Sequence, residues 1–94
     1  MNKYEIMFIV KPDVEEEARN TLIENFKNIL TANGGTVDNV DEWGLRDLAY
    51  EIQDFKKGYY VVVDTTCTAA DVAEFERLSN INSSMLRHLT LRKL

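Results

Sequence analysis

The chain predicts an α+β fold of the ferredoxin-like, split βαβ kind (βαββαβ): a four-stranded antiparallel sheet with two helices on one face. Three observations predict it. Apolar residues alternate at period two from Tyr4 to Val10 and again from Tyr59 to Val63, an apolar residue recurs every fourth position from Val14 to Leu30, and a shorter helical stripe follows at Val72, Phe75 and Leu78. The order strand, helix, strand, strand, helix, strand is that of the split βαβ unit. Two right-handed crossovers in that order make the first and third strands central, leave the second and fourth as edges, and keep the sheet face away from the helices open.

In the first strand Tyr4, Ile6, Phe8 and Val10 are expected to face the helices, with Lys3, Glu5, Met7 and Ile9 on the other side. The first helix then presents Val14, Ala18, Leu22, Phe26 and Leu30, widened by Ile29, to the core. Asp13, with Glu16 three residues on, is the expected cap, and the glutamates at 15–17 suit the positive end of the helix dipole. Asn33-Gly34-Gly35 supplies the left-handed geometry that closes a helix. Thr36 to Ile52 is too long for a simple strand, so Gly44 is expected to mark a bulge or bend. Gln53 to Gly58 reads as a hairpin loop with a basic tip at Lys56 and Lys57. Tyr59, Val61 and Val63 then alternate with Tyr60, Val62 and Asp64, and a second helix begins at Thr68 with Asp71 in the reciprocal capping position. Met85 to Lys93 is the last strand. Its facing is open, because Arg87 shares the phase of Leu89 and Leu91.

Ninety-four residues have room for one domain, 1–94, and the composition is that of an ordinary globular protein. The longest apolar run near the start, Ile6 to Val10, is far too short for a membrane span, so a cytoplasmic protein without a membrane role is expected. One cysteine, Cys67, excludes an internal disulfide, and with the single histidine, His88, it makes neither a closed zinc site nor a nucleophile–base pair. No metal, cofactor or enzymatic activity is expected. The net charge of −5 argues at first against nucleic acid. The whole acidic excess, however, lies in the two predicted helices, and Met85 to Leu94 carries Arg87, Arg92 and Lys93 with no acid.

The most distinctive stretch is Trp43-Gly44-Leu45-Arg46-Asp47-Leu48-Ala49-Tyr50-Glu51-Ile52. Together with Tyr4-Glu5, Gly58-Tyr59-Tyr60 and Leu86-Arg87 it resembles, over essentially the whole chain, the family of the sixth protein of the bacterial small ribosomal subunit. The resemblance implies a ribosomal component, active in translation, that binds small-subunit ribosomal RNA jointly with a basic partner, the eighteenth small-subunit protein. Relatives usually carry two or more basic residues just after the Trp-Gly pair, where this chain has Arg46 alone between Leu45 and Asp47.

On that reading Lys3, Tyr4, Arg46, Tyr50, Arg87, Arg92 and Lys93 are the candidate RNA contacts, and Trp43 and Leu48 the candidate partner contacts. Each has a plainer role beside it. Arg46 suits an edge-strand cation that discourages strand addition. Tyr4 and Tyr50 suit either splayed bases or the core. Arg87, Arg92 and Lys93 form a phosphate-positioning patch or a solvated terminus, and Trp43 is structural or at the partner. With so few cations, RNA binding by this chain alone should be weak, and the free protein is expected to be a monomer. A dimeric regulatory module of the same fold, binding a small metabolite against the half-apolar open face, is the alternative. Small enzymes of this fold need an acid–base or cofactor site that the chain lacks.

Overall fold

The computed structural model describes residues 1–93; Leu94, the last residue of the expected 1–94 domain, lies outside the described residues. The elements are β1 (Asn2–Val10), α1 (Glu16–Thr31), β2 (Thr36–Ile52), β3 (Phe55–Cys67), α2 (Ala69–Ile81) and β4 (Met85–Lys93). The strands form one antiparallel sheet in the order β2-β3-β1-β4. The expected architecture is therefore present, with the second and fourth strands at the edges.

Between helices and sheet lies an aromatic cluster of one residue per element: Phe8 of β1, Phe26 of α1 and Phe75 of α2, with ring centroids 4.8 to 6.1 Å apart in edge-on and tilted geometry. Ile6, Val10, Leu30, Val61 and Val63 complete it. In α1 the buried stripe is Leu22, Ile23, Phe26 and Leu30, while Ala18 is exposed. A repeat of exactly four slips about 40° per step around a helix of 3.6 residues per turn, so a four-residue ladder leaves the core and Ile23 replaces Ala18.

The expected cap at Asp13 is not made. Val14 N donates to Lys11 O (3.3 Å), a turn through Pro12-Asp13 that delays the helix to Glu16, with extended Glu15 as its uncapped N-terminal neighbour. At α2 the cap forms as expected, Asp71 N donating to Thr68 Oγ1 at 3.2 Å. The Asp71 carboxylate does not return that bond. It sits 3% exposed and accepts from Asn33 Nδ2 at 2.7 Å, tying the end of α1 to the start of α2. Gly34 has φ +85°, the left-handed closure read from the sequence.

The hairpin differs from expectation. The connection is two residues long: Gln53 and Asp54 both have positive φ (49° and 68°), and Ile52 pairs with Phe55. Two consecutive positive φ values match the turn that fits the right-handed twist of a tight hairpin. Lys56 and Lys57 consequently belong to β3, where Lys56 lies 4.0 Å from Glu51 and Lys57 3.9 Å from Asp47. The basic tip is thus a pair of exposed, carboxylate-matched strand residues.

Candidate nucleic-acid interface

Which side chains reach the open face follows from register. Arg87 stands opposite Ile9, Leu89 opposite Met7, Leu91 opposite Glu5 and Lys93 opposite Lys3, so all four β4 residues share the open face. The same pairing sets Arg92 opposite Tyr4, in the phase that faces the helices. The expected patch of Arg87, Arg92 and Lys93 is therefore split between two faces and two ends. Arg92 donates to Asn2 Oδ1 at 2.9 Å. Tyr4 is 8% exposed inside the core and has no surface to offer a base.

The end of the open face that holds Lys93 is a closed charge network. Lys93 Nζ lies 2.7 Å from Asp64 Oδ1 and 3.7 Å from Glu5 Oε2, and Asp64 foremost holds the ammonium pKa above its ordinary value. Asp38 accepts from Thr66 Oγ1 (2.7 Å) and Thr36 Oγ1 (2.9 Å), which keep its carboxyl below the usual range, with smaller help from Lys3 and Lys93. Two lysines face three carboxylates there, so this end does not attract phosphate. Asp64 was the residue whose importance the sequence reading missed, although its alternation with Val63 already set it beside Tyr60 and Val62.

Along the β2 edge the structure assembles an aromatic and cationic group. The register breaks between Glu42 and Gly44, where Gly44 takes φ +81° and Trp43 is the extra residue of a bulge. This delivers the Trp43 ring, 43% exposed, onto Tyr60: centroids are 6.1 Å apart with planes 7° from parallel. Trp43 Nε1 donates to Asp41 Oδ2 at 3.1 Å. The Arg46 guanidinium lies 5.6 Å from the Trp43 ring, and its Nε donates to Trp43 O at 3.4 Å.

The register breaks again after Asp47 and resumes only at Ile52. Freed from the ladder, Leu48 and Tyr50 reach over the open face and, with Met7, Ile9 and Leu89, line a basin of about 260 Å³. Gly58 makes room for this: a methyl group there would run into the Ile9 side chain. The Tyr50 hydroxyl accepts from Arg87 Nη1, linking a residue of one edge strand to a residue of the other. Residues expected to touch RNA (Arg46, Tyr50, Arg87) and residues expected to touch a partner (Trp43, Leu48) are thus interleaved on one surface. The acidic helices lie on the opposite side of the sheet.

Cys67 is fully buried and its thiol is pushed up by desolvation; it has no exposed reactive surface. His88 Nε2 lies 2.9 Å from Asn80 Oδ1. Among the described residues no cluster of His, Cys, Asp and Glu is arranged to hold a metal, and no helix is long and apolar enough to cross a membrane.

The sequence profile of the family described as ribosomal protein S6 matches residues 3–92. The chain belongs to the ribosomal protein S6 family. The crystal structure of 30S ribosomal protein S6 from Thermotoga maritima is similar at 35% identity and a TM-score of 0.90, with 98% of this chain and 87% of that chain covered. A crystal structure of an Arabidopsis thaliana protein, at 17% identity and a TM-score of 0.57 over 100% of this chain and 94% of that one, shares the fold. Membership in the S6 family makes this a small-subunit ribosomal protein. Within the S6 fold the Trp43-Gly44 pair has a specific geometric task, since the bulge is what lays the indole on Tyr60 beneath Arg46.

Proposed function

We propose that this chain binds small-subunit ribosomal RNA at the ribosome in the cytoplasm, together with the eighteenth small-subunit protein as a basic companion. The observation that carries the reading is the aromatic and cationic group that one end of the open face gathers, away from the acidic helices and from the Glu5, Asp38 and Asp64 carboxylates at its other end. The acids of α1 and α2 lie on one side, while the open face joins Arg46, stacked Trp43 and Tyr60, and the Arg87–Tyr50 pair beside an apolar basin. Aromatic planes flanked by arginines suit unstacked bases and phosphates.

On this reading Arg46, Tyr50 and Arg87 contact RNA, Leu48 meets the companion at the basin, and Trp43 meets it beside the basin, over Tyr60. Lys3 and Lys93, at the carboxylate-rich end of the open face, take no part, nor do Tyr4 and Arg92. So few free cations neutralise only a handful of phosphates, so the companion supplies the remaining positive charge, drawn to this acidic chain by complementarity. Filter binding of small-subunit ribosomal RNA across a salt series, with and without the companion, tests the proposal. Weak solitary binding with a shallow salt slope, and cooperative binding of the pair, are expected. Tight binding by this chain alone would overturn it.

A further inference from the structure

A second recess, of about 340 Å³, opens at the end of the molecule where β4 begins, and it has a different chemistry from the apolar basin. Its wall joins Lys11 from the turn after β1, Ser79, Asn80 and Asn82 from the end of α2, and Arg87 and His88 from β4. Among the described residues no Asp or Glu lines it, in a chain with sixteen acids against eleven cations. Lys11 and Arg87 also have no carboxylate within ion-pair distance among the described residues, unlike Lys27, Lys56, Lys57, Arg77 and Lys93.

Two side-chain amides on this wall also turn donors outward, against the carbonyl end of α2 beside them. Asn82 Oδ1 accepts from Ser84 N at 2.8 Å, so its NH2 is the part of the amide left to offer. Asn80 Oδ1 is taken by His88 Nε2, which leaves its NH2 likewise and makes that imidazole nitrogen the donor, because a carboxamide oxygen only accepts. Ser79, 3% exposed, has a hydroxyl without a partner. Both cations line the recess while their charged ends rest at its margin, Lys11 Nζ 5.9 Å from the Phe55 ring centroid and Arg87 bonded to the Tyr50 hydroxyl of the neighbouring basin, so each turns inward to meet an anion. A hollow lined by two cations without carboxylate partners among the described residues and by several side-chain donors is the complement of an anion carrying several acceptor oxygens.

We propose that this recess is a binding site for a phosphate group, with Lys11 and Arg87 as the counter-charges and Asn80 and Asn82 as neutral donors. The proposal deepens the RNA reading, on which the occupant is a backbone phosphate; a free phosphate ion has the same chemistry. Two arms separate these sources. In the first, inorganic phosphate is titrated into the free protein at constant ionic strength while amide resonances are followed by NMR. Saturable shifts at Lys11, Asn82, Arg87 and His88 that are lost in Lys11→Met are expected, and this arm does not depend on ribosomal RNA binding at all.

In the second arm, binding of small-subunit ribosomal RNA with the companion present is measured against salt. Lys11→Met should weaken it about 3- to 10-fold and lower the salt slope by roughly one. Lys27→Met, the same charge change on the helix side, should leave both unchanged. A lowered slope assigns the recess to the RNA backbone, and site-specific phosphate shifts with an unchanged slope assign it to the free ion. Shifts scattered over the surface or insensitive to Lys11→Met, together with an unchanged slope, would overturn the site.

Discussion

Gly35 shows how narrowly single positions are specified. A Cβ there would lie 2.5 Å from Leu30 O and 2.8 Å from Thr66 O, both backbone atoms that cannot step aside. At Gly58 the obstacle is the γ2 methyl of Ile9, a side-chain group rather than backbone, which yields by a change at χ1 or a small shift of its neighbours. Gly35→Ala is therefore expected to destabilise by about 3 kcal/mol and Gly58→Ala by about 1–2 kcal/mol, read from urea unfolding midpoints. Arg46 and Lys93 make a second contrast, this time in binding. Both are cations on the open face, but Lys93 is already engaged by Asp64 and Glu5 whereas Arg46, among the described residues, meets Trp43 and no carboxylate. With the companion present, Arg46→Ala should weaken ribosomal RNA binding about 3- to 10-fold and Lys93→Met by no more than about 2-fold, in the same filter assay. Residue type alone shows neither distinction. A lysine with a local acid and one without look alike until strand pairing brings Asp64, twenty-nine positions away, to its side.

Whole elements were more legible than their ends. Period-two and four-residue apolar repeats are set by backbone geometry, so the six elements and their order could be read directly. The boundaries that went astray, at Asp13 and at Gln53–Gly58, depend on local backbone competition instead. A turn through Pro12-Asp13 displaced the cap, and Gln-Asp does not advertise a tight hairpin because Gln53 has no preference for positive φ and Asp54 stands where glycine is usual. Replacing Gln53-Asp54 by Asn-Gly should therefore raise stability by about 1 kcal/mol with an unchanged denaturant slope. An altered slope would mean that the hairpin had repaired in a different register. The candidate site depended on the same limits. The Trp43-Gly44 bulge was visible as a glycine in an overlong strand, but the return of Leu48 and Tyr50 across the sheet to Arg87 arises from a loss of pairing after Asp47 that no periodicity records.

At the scale of the molecule, charge placement sets the response to pH. Asp38 and Glu74 are held below their ordinary pKa values by hydrogen bonds, from Thr66 and from Arg77 respectively. Each adds stability above the unfolded carboxylate pKa that disappears as pH falls through the lowered folded value. Lys93 is held above its ordinary value chiefly by Asp64, and Cys67 by burial. The Lys93 contribution is complete below the unfolded pKa and is lost as pH rises through the raised folded value; the neutral buried thiol likewise favours folding only until the unfolded thiol begins to ionise. Stability should thus decline below about pH 4 and above about pH 9, and Asp38→Asn should flatten the acid limb, both measured by urea midpoints across pH. The sheet order has a consequence for biosynthesis. Because β1 has β3 on one side and β4 on the other, a nascent chain that has emerged only through α2 leaves one flank of its first strand without hydrogen-bond partners. The sheet is completed only by the strand that follows α2, and until β4 arrives that bare flank is open to any neighbouring polypeptide able to add a strand.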